Sequence, residues 1–249
     1  MAQPLSIFIS SPGDVNDERR RAALVISRLK REFARFFDLT AVLWEYEPML
    51  ASGHFQDILV PPSHTDIVVV ILWSRLGSPL PEDRYRGLDG RVPVTGTEWE
   101  FEDALKVQGQ PGAPELLVYR KTAPPETRFT GRDQLETVGR QWDALQAFWG
   151  RHFVFPDGRA RRAFKDFDGL DEFEAKLKED LRKILRRRGA EGGRDGSPRL
   201  PDWYQGSPFR GLDVFEPEHA RIFFGRGQAE REVTEALAAR AGARRGWCW

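Results

Sequence analysis

The sequence predicts a doubly wound parallel α/β domain, with helices on both faces of the sheet and a short C-terminal extension. Three observations carry that expectation. Residues 67–73 (IVVVILW) are seven consecutive apolar residues, nearly all β-branched or aromatic. The run is too short to span a membrane and suits a strand buried on both faces. Three further short apolar runs flank it, at residues 5–10 (LSIFIS), 39–46 (LTAVLWEY) and 115–120 (ELLVYR). Between the runs lie helical patterns and brief Gly/Pro connections, the alternation expected of strands joined by helical crossovers.

Taken in order, residues 5–10 form the first strand, with hydrophobics at both parities. Pro12 and Gly13 break it, and Asp14 or Asn16 can cap the first helix. Over residues 17–37, Ala22, Ile26, Leu29, Phe33 and Phe36 recur at helical spacing against a charged opposite face. The second strand is 39–46. Phe55, Ile58 and Leu59 suggest a short helix, stopped by Pro61 and Pro62. After the central strand and a polar excursion, a helix is expected from Thr97 to about Gln108, then the strand at 115–120. Leu135, Val138, Trp142, Leu145 and Trp149 mark another helix. Residues 152–167 read as irregular with room for a short edge strand. Leu170, Phe173, Leu177, Leu181 and Ile184 define a last helix, capped by Asp168. Arg186, Arg187 and Arg188 suit the negative end of that helix better than a binding patch. Residues 189–206 have a linker's composition. The 207–249 segment is too short to bury a core of its own.

Composition narrows the function classes. The 249 residues carry 38 basic and 38 acidic side chains, so net charge offers no case for nucleic acid or an anionic membrane surface. One cysteine, Cys248, provides neither a disulfide framework nor a thiolate metal site, which points to a reducing, cytoplasmic setting. The four histidines (His54, His64, His152, His219) show no metal-ligand spacing, so no metal is expected.

Chemistry is expected where the central strand ends. Ligands of open α/β sheets bind beyond the carboxyl ends of the strands. Trp73, Ser74, Arg75 and Gly77 sit there, and Ser10 and Ser11 end the first strand. The TGTEWEFEDAL stretch then brings Glu98 and Glu100 into a helix's first turn, with Glu102 close behind.

Three stretches together resemble a known family: IFISSPGDVNDERR, DIVVVILWSRLG and TGTEWEFEDAL. Residues 1–188 are identified as a TIR-like domain, of the kind found at the N-terminus of bacterial signalling and defence proteins. The segment SPFRGLDVFEPEHARIFFGRGQAEREVTEAL, within 207–249, resembles the lead-in to the ATPase module of STAND-type NTPases. No GxxxxGK[ST] loop comes after it, so no ATP site is expected and the chain reads as an effector domain with an incomplete lead-in. The resemblance implies a flavodoxin-like, TIR-type sheet and homo-oligomerisation. It further implies one of two functions: hydrolysis of the nicotinamide–ribose bond of NAD, or non-catalytic self-association. NAD would be the substrate, and no cofactor is required.

In the catalytic reading, the family's glutamate lies in the helix after the central strand. Alignment on the EDAL end places it at Glu100, whereas alignment on the tryptophan places it at Asp103; Glu98 is a third candidate. Ser10, Ser11, Trp44, Trp73 and Arg75 would complete the wall, the indoles stacking on a ring and Arg75 pairing with the pyrophosphate. Each has a structural alternative. Thr97 and Glu100 have capping-box spacing, Trp44 and Trp73 lie on strands and suit a core, and Arg75 can pair with Asp66 or Glu98.

Overall fold

The computed structural model describes residues 2–43, 60–125 and 132–192. Five parallel strands form one sheet in the order β2-β1-β3-β4-β5. They are β1 (Gln3–Ser10), β2 (Phe37–Val42), β3 (Ile67–Leu72), β4 (Glu115–Lys121) and β5 (Lys165–Phe167). Among the described residues four α-helices accompany them: α1 (Asn16–Glu32), α2 (Gly96–Lys106), α3 (Arg132–His152) and α4 (Leu170–Gly192). This is the doubly wound α/β arrangement that the strand pattern predicts. Strand order reverses between β1 and β3, where such folds place a ligand crevice.

All six residues of β3 are inaccessible to solvent. Alternation along the strand divides them between two cores. Val68, Val70 and Leu72 pack with Phe8 of β1 against α2 and α3, through Phe101, Ala104, Leu145 and Phe148. On the opposite face, Tyr119 of β4 meets Phe173 of α4 edge-on. Its hydroxyl donates to Asp180 at 2.7 Å, and burial together with that carboxylate pushes its pKa well up. Arg21 and Arg28 of α1 pair with Glu174 of α4, and Arg182 pairs with Glu32. Charges thus tie α1 to α4.

Several boundaries differ from the sequence reading. Strand β2 begins at Phe37, because Phe33 and Phe37 are buried on either side of the turn that ends α1. Leu135 is half exposed although its spacing matches that of the core residues; only the C-terminal half of α3, from Leu145, buries its face. Helix α4 begins at Leu170, and the Phe173 amide donates to the Gly169 carbonyl at 3.1 Å, which puts Gly169 rather than Asp168 at the cap position; Glu172 reaches back to accept from the Asp168 amide at 2.8 Å. The last helix runs to Gly192, four residues beyond the expected linker boundary at 188. Arg187 and Arg188 are helix residues that pair with Glu115 and Asp66 at the amino ends of β4 and β3. The expected helix near Phe55, and the 207–249 segment, lie outside the described residues.

Stability should follow this division. Leu181→Ala should cost about 2–5 kcal/mol because it empties a fully buried site. Leu135→Ala should cost less than about 0.5 kcal/mol. Equilibrium denaturation of the two variants checks both values.

Candidate functional site

Strand parity brings the first two site residues together. Ser10 shares a face of β1 with Phe8, the face that α2 covers. Its hydroxyl donates to Glu100 Oε2 at 2.6 Å, and both groups are buried, Ser10 completely and Glu100 at 6 % exposure. The carboxylate lines a cavity of about 190 Å³ at the carboxyl ends of β1 and β3. Ser11, Gly13 and Arg19 line it together with Arg75, Thr97 and Glu100.

Arg19 of α1 reaches under the β1 exit. Its Nε donates to Ser11 Oγ at 2.7 Å and its Nη2 to the Pro12 carbonyl at 2.9 Å. A guanidinium only 2 % exposed needs countercharge, and Glu100 shares its cavity. Asp14 clamps the neighbouring strand exit by accepting from the Ser74 amide and hydroxyl, each at 2.9 Å. Gly77 takes φ +101°, a left-handed conformation. A Cβ there would make only ordinary contact with Thr97 Oγ1, at 3.4 Å, so it is the backbone conformation that favours glycine.

The helix start is set earlier than the sequence suggests. Thr95 caps α2, accepting from the Glu98 amide at 3.3 Å and donating to the Leu76 carbonyl at 2.8 Å. Thr97 is instead a buried helical residue in the cavity wall, so Thr97 and Glu100 form no capping box. The first turn of α2, the positive end of its dipole, faces the cavity beside Arg75. Arg75 Nε is buried and has no hydrogen-bond partner among the described residues. Arg75 pairs with neither expected acid: Asp66 sits at the opposite end of β3 and is taken by Ser6 and Arg188, and Glu98 is taken by other arginines.

The remaining candidates separate from this cavity. Trp73 turns away: its indole donates to the Ala123 carbonyl at 2.7 Å and carries Lys121 Nζ 4.1 Å above its ring. Asp103 accepts from the Ser63 amide at 2.8 Å, holding the short 3-10 turn Pro62–His64 against α2. Trp44 lies outside the described residues.

Glu98 belongs to a cluster that the spacing of residues does not reveal. Glu98 and Glu102, one turn apart on α2, meet His152 from the end of α3, with ligand atoms all within 4.8 Å. Those donor types could hold a divalent metal. The same oxygens, however, already serve two guanidiniums. Arg91 Nη2 lies 2.8 Å from both Glu98 Oε1 and Glu102 Oε1, and Arg151 Nη2 lies 2.6 Å from Glu98 Oε1. His152 Nε2 is 2.8 Å from Glu102 Oε1. A metal would have to displace these cations, so the geometry is that of an ion-pair network. It fastens the excursion between β3 and α2 onto α2 and α3, with Glu102 also accepting from the Leu88 amide. Burial raises the Glu102 pKa, but hydrogen bonds from His152, Arg91 and the Leu88 amide outweigh it and leave the net shift downward.

No family model matches the chain, and no curated protein matches it. Among the described residues, no helix is long and apolar enough to cross a membrane.

The cap and the network each have a measurable consequence. Thr95→Ala should lower unfolding free energy by about 1–2 kcal/mol, and Thr97→Ala should leave the cap intact. Because the folded pKa of Glu102 is depressed, its contribution is present above the ordinary glutamate pKa and lost as pH falls through the folded value. Denaturation between pH 6 and about pH 3 should therefore show a steeper acid loss for the wild type than for Glu102→Gln.

Proposed function

We propose that this chain hydrolyses the N-glycosidic bond between nicotinamide and ribose in NAD, with Glu100 as the catalytic carboxylate. The observation that supports the reading best is the buried Glu100 carboxylate. It is oriented by Ser10 and opens into a cavity beside Arg75 at the switch point of a parallel sheet.

The reaction breaks the bond from ribose C1′ to the pyridinium nitrogen. The electron pair leaves with that nitrogen, so the cationic ring departs as neutral nicotinamide and needs no acid. Water adds at C1′ and releases one proton, giving ADP-ribose. Positive charge develops on the ribosyl ring in between, and a fixed carboxylate in a water-poor site stabilises it. Ser10 holds Glu100 in one orientation, so little reorganisation is required as the charge forms. Arg75 and the amino end of α2 suit the pyrophosphate. Asp103, engaged by the Ser63 amide, is not assigned this role, nor is Glu98, which is neutralised by Arg91 and Arg151.

The second reading is a non-catalytic, self-associating module. The burial of Glu100 in the same cavity as Arg19 favours it, since a countercharge for a buried guanidinium is reason enough for a carboxylate there.

Nicotinamide release from NAD by concentrated or scaffold-clustered protein separates the two. Catalysis predicts release that falls about 10²–10⁴-fold in Glu100→Gln, which preserves shape and the acceptor for Ser10. Asp103→Asn should retain turnover. Arg75→Gln should raise KM about tenfold with a smaller change in kcat. Self-association without release under any clustering, or full turnover by Glu100→Gln, would overturn the assignment.

A further inference from the structure

A second cavity lies on the other side of the β3 exit. It measures about 580 Å³, three times the cavity at Glu100, and falls within the range of small-molecule sites. Its floor is the end of β4 and the segment after it, and its far wall is α3. Trp73 lines this cavity and Arg75 lines the other. Two residues span at most about 7 Å of chain, so one short segment divides the two spaces.

The walls are aromatic and basic. Trp142 and Trp149 stand two helical turns apart on one face of α3, and Trp73 faces them across the cavity. Trp142 is 44 % exposed, although tryptophans are on average highly buried. The Arg120 guanidinium lies 5.2 Å from the Trp149 ring and 4.7 Å from Phe164. Lys121 lies over Trp73 and is held by Glu18, which is buried, so its place is fixed. Arg120 differs. It pairs with Asp166 in a two-point fork, Nε and Nη2 each 2.7 Å from a carboxylate oxygen, but both side chains are partly exposed, so a guanidinium edge remains open to solvent and to a further anion.

We propose that this groove is a binding site for a flat aromatic ring carrying a phosphate, namely a nucleoside monophosphate or the corresponding half of a larger nucleotide. The base stacks on the exposed Trp142 ring, Trp149 and Trp73 form the packed walls behind it, and the phosphate meets Arg120. An indole at the surface is sequence-tolerant as a stacking platform because every base offers a π-face. The guanidinium beside it supplies the charge that a neutral aromatic ligand would not need. The site stands apart from the glycosidic chemistry and does not require Glu100 to be catalytic.

Calorimetric titration of AMP into the full chain tests the assignment. Saturable binding is expected, weakened about ten- to a hundredfold by Trp142→Ala and largely kept by Trp142→Phe. Arg120→Gln should weaken AMP about tenfold while leaving adenosine, which lacks the phosphate, unchanged. Arg75→Gln should leave a binding event that still depends on Trp142, which separates this groove from the cavity at Glu100. Circular dichroism confirms that the variants fold. AMP affinity unaffected by Trp142→Ala would overturn the proposal. So would AMP binding lost in Arg75→Gln but kept in Trp142→Ala. Self-association that Trp142→Ala abolishes, without any AMP binding, would overturn it too and assign the groove to a second copy of the chain.

Discussion

Everything in this domain depends on the complete burial of β3. A strand whose six side chains all avoid water must be covered on both faces. In a single sheet, that requires helices above and below and parallel neighbours on both edges. β3 itself carries no polar side chain, so the polar and charged groups around it gather at its ends. At the amino ends, Asp66 and Glu115 hold Arg187 and Arg188 and anchor α4. At the carboxyl ends, the backbone leaves the sheet and groups converge that no strand could carry: Ser11, Arg19, Arg75 and the first turn of α2. The division between an end of ion pairs and an end with a cavity is thus a consequence of hydrophobic burial.

The excursion between β3 and α2 shows how such an end is kept in one shape. It has only a small apolar cluster of its own, Leu80, Tyr85 and Val94 with Trp99 against them. Tyr85 meets Trp99 edge-on at 5.2 Å. That is too little to order a long loop against its conformational entropy. The ion-pair network supplies the rest, with Arg91 reaching two carboxylates of α2 and Arg151 and His152 approaching them from α3. Breaking such a buried set by removing one member strands the others, so it enforces one arrangement more than it adds stability. The arrangement matters because the same loop delivers Arg75 and Gly77 to the cavity wall.

How far the sequence can be read depends on whether the signal is periodic. The four longer strands and the faces of α1 and α4 obey apolar spacing, and the structure has them within a few residues. Strand β5 spans three residues with one buried, too few to register as a period. The meeting of Ser10 with Glu100 is legible because each occupies the end of an element whose direction the pattern sets. Trp73 is not, since it lies one residue beyond β3, where a loop hydrogen bond to Ala123 rather than strand parity orients the ring. The helix start is misread because TGTE contains two threonines, and Gly96 after Thr95 reads as loop; only the hydrogen bond from the Glu98 amide distinguishes them. For the Glu98 cluster, the i, i+4 pair is visible, but His152 comes from 50 residues away and carries no local mark.

The burial of Glu100 does not by itself decide between catalysis and structure, because a carboxylate removed from water must have its charge compensated in either case. The difference lies in whether the compensation leaves room for a second cation. A carboxylate offers about four acceptor sites, and the Ser10 hydroxyl occupies one of them. Arg19 is directed by its Nε and Nη2 toward Ser11 and Pro12, so much of its hydrogen-bonding capacity serves the β1 exit. Both groups also line one cavity, together with Arg75 and the amino end of α2. Negative and positive groups thus share one lining, and that polarity is what the proposed glycosidic reading calls for, with a developing cation to stabilise and a pyrophosphate to hold.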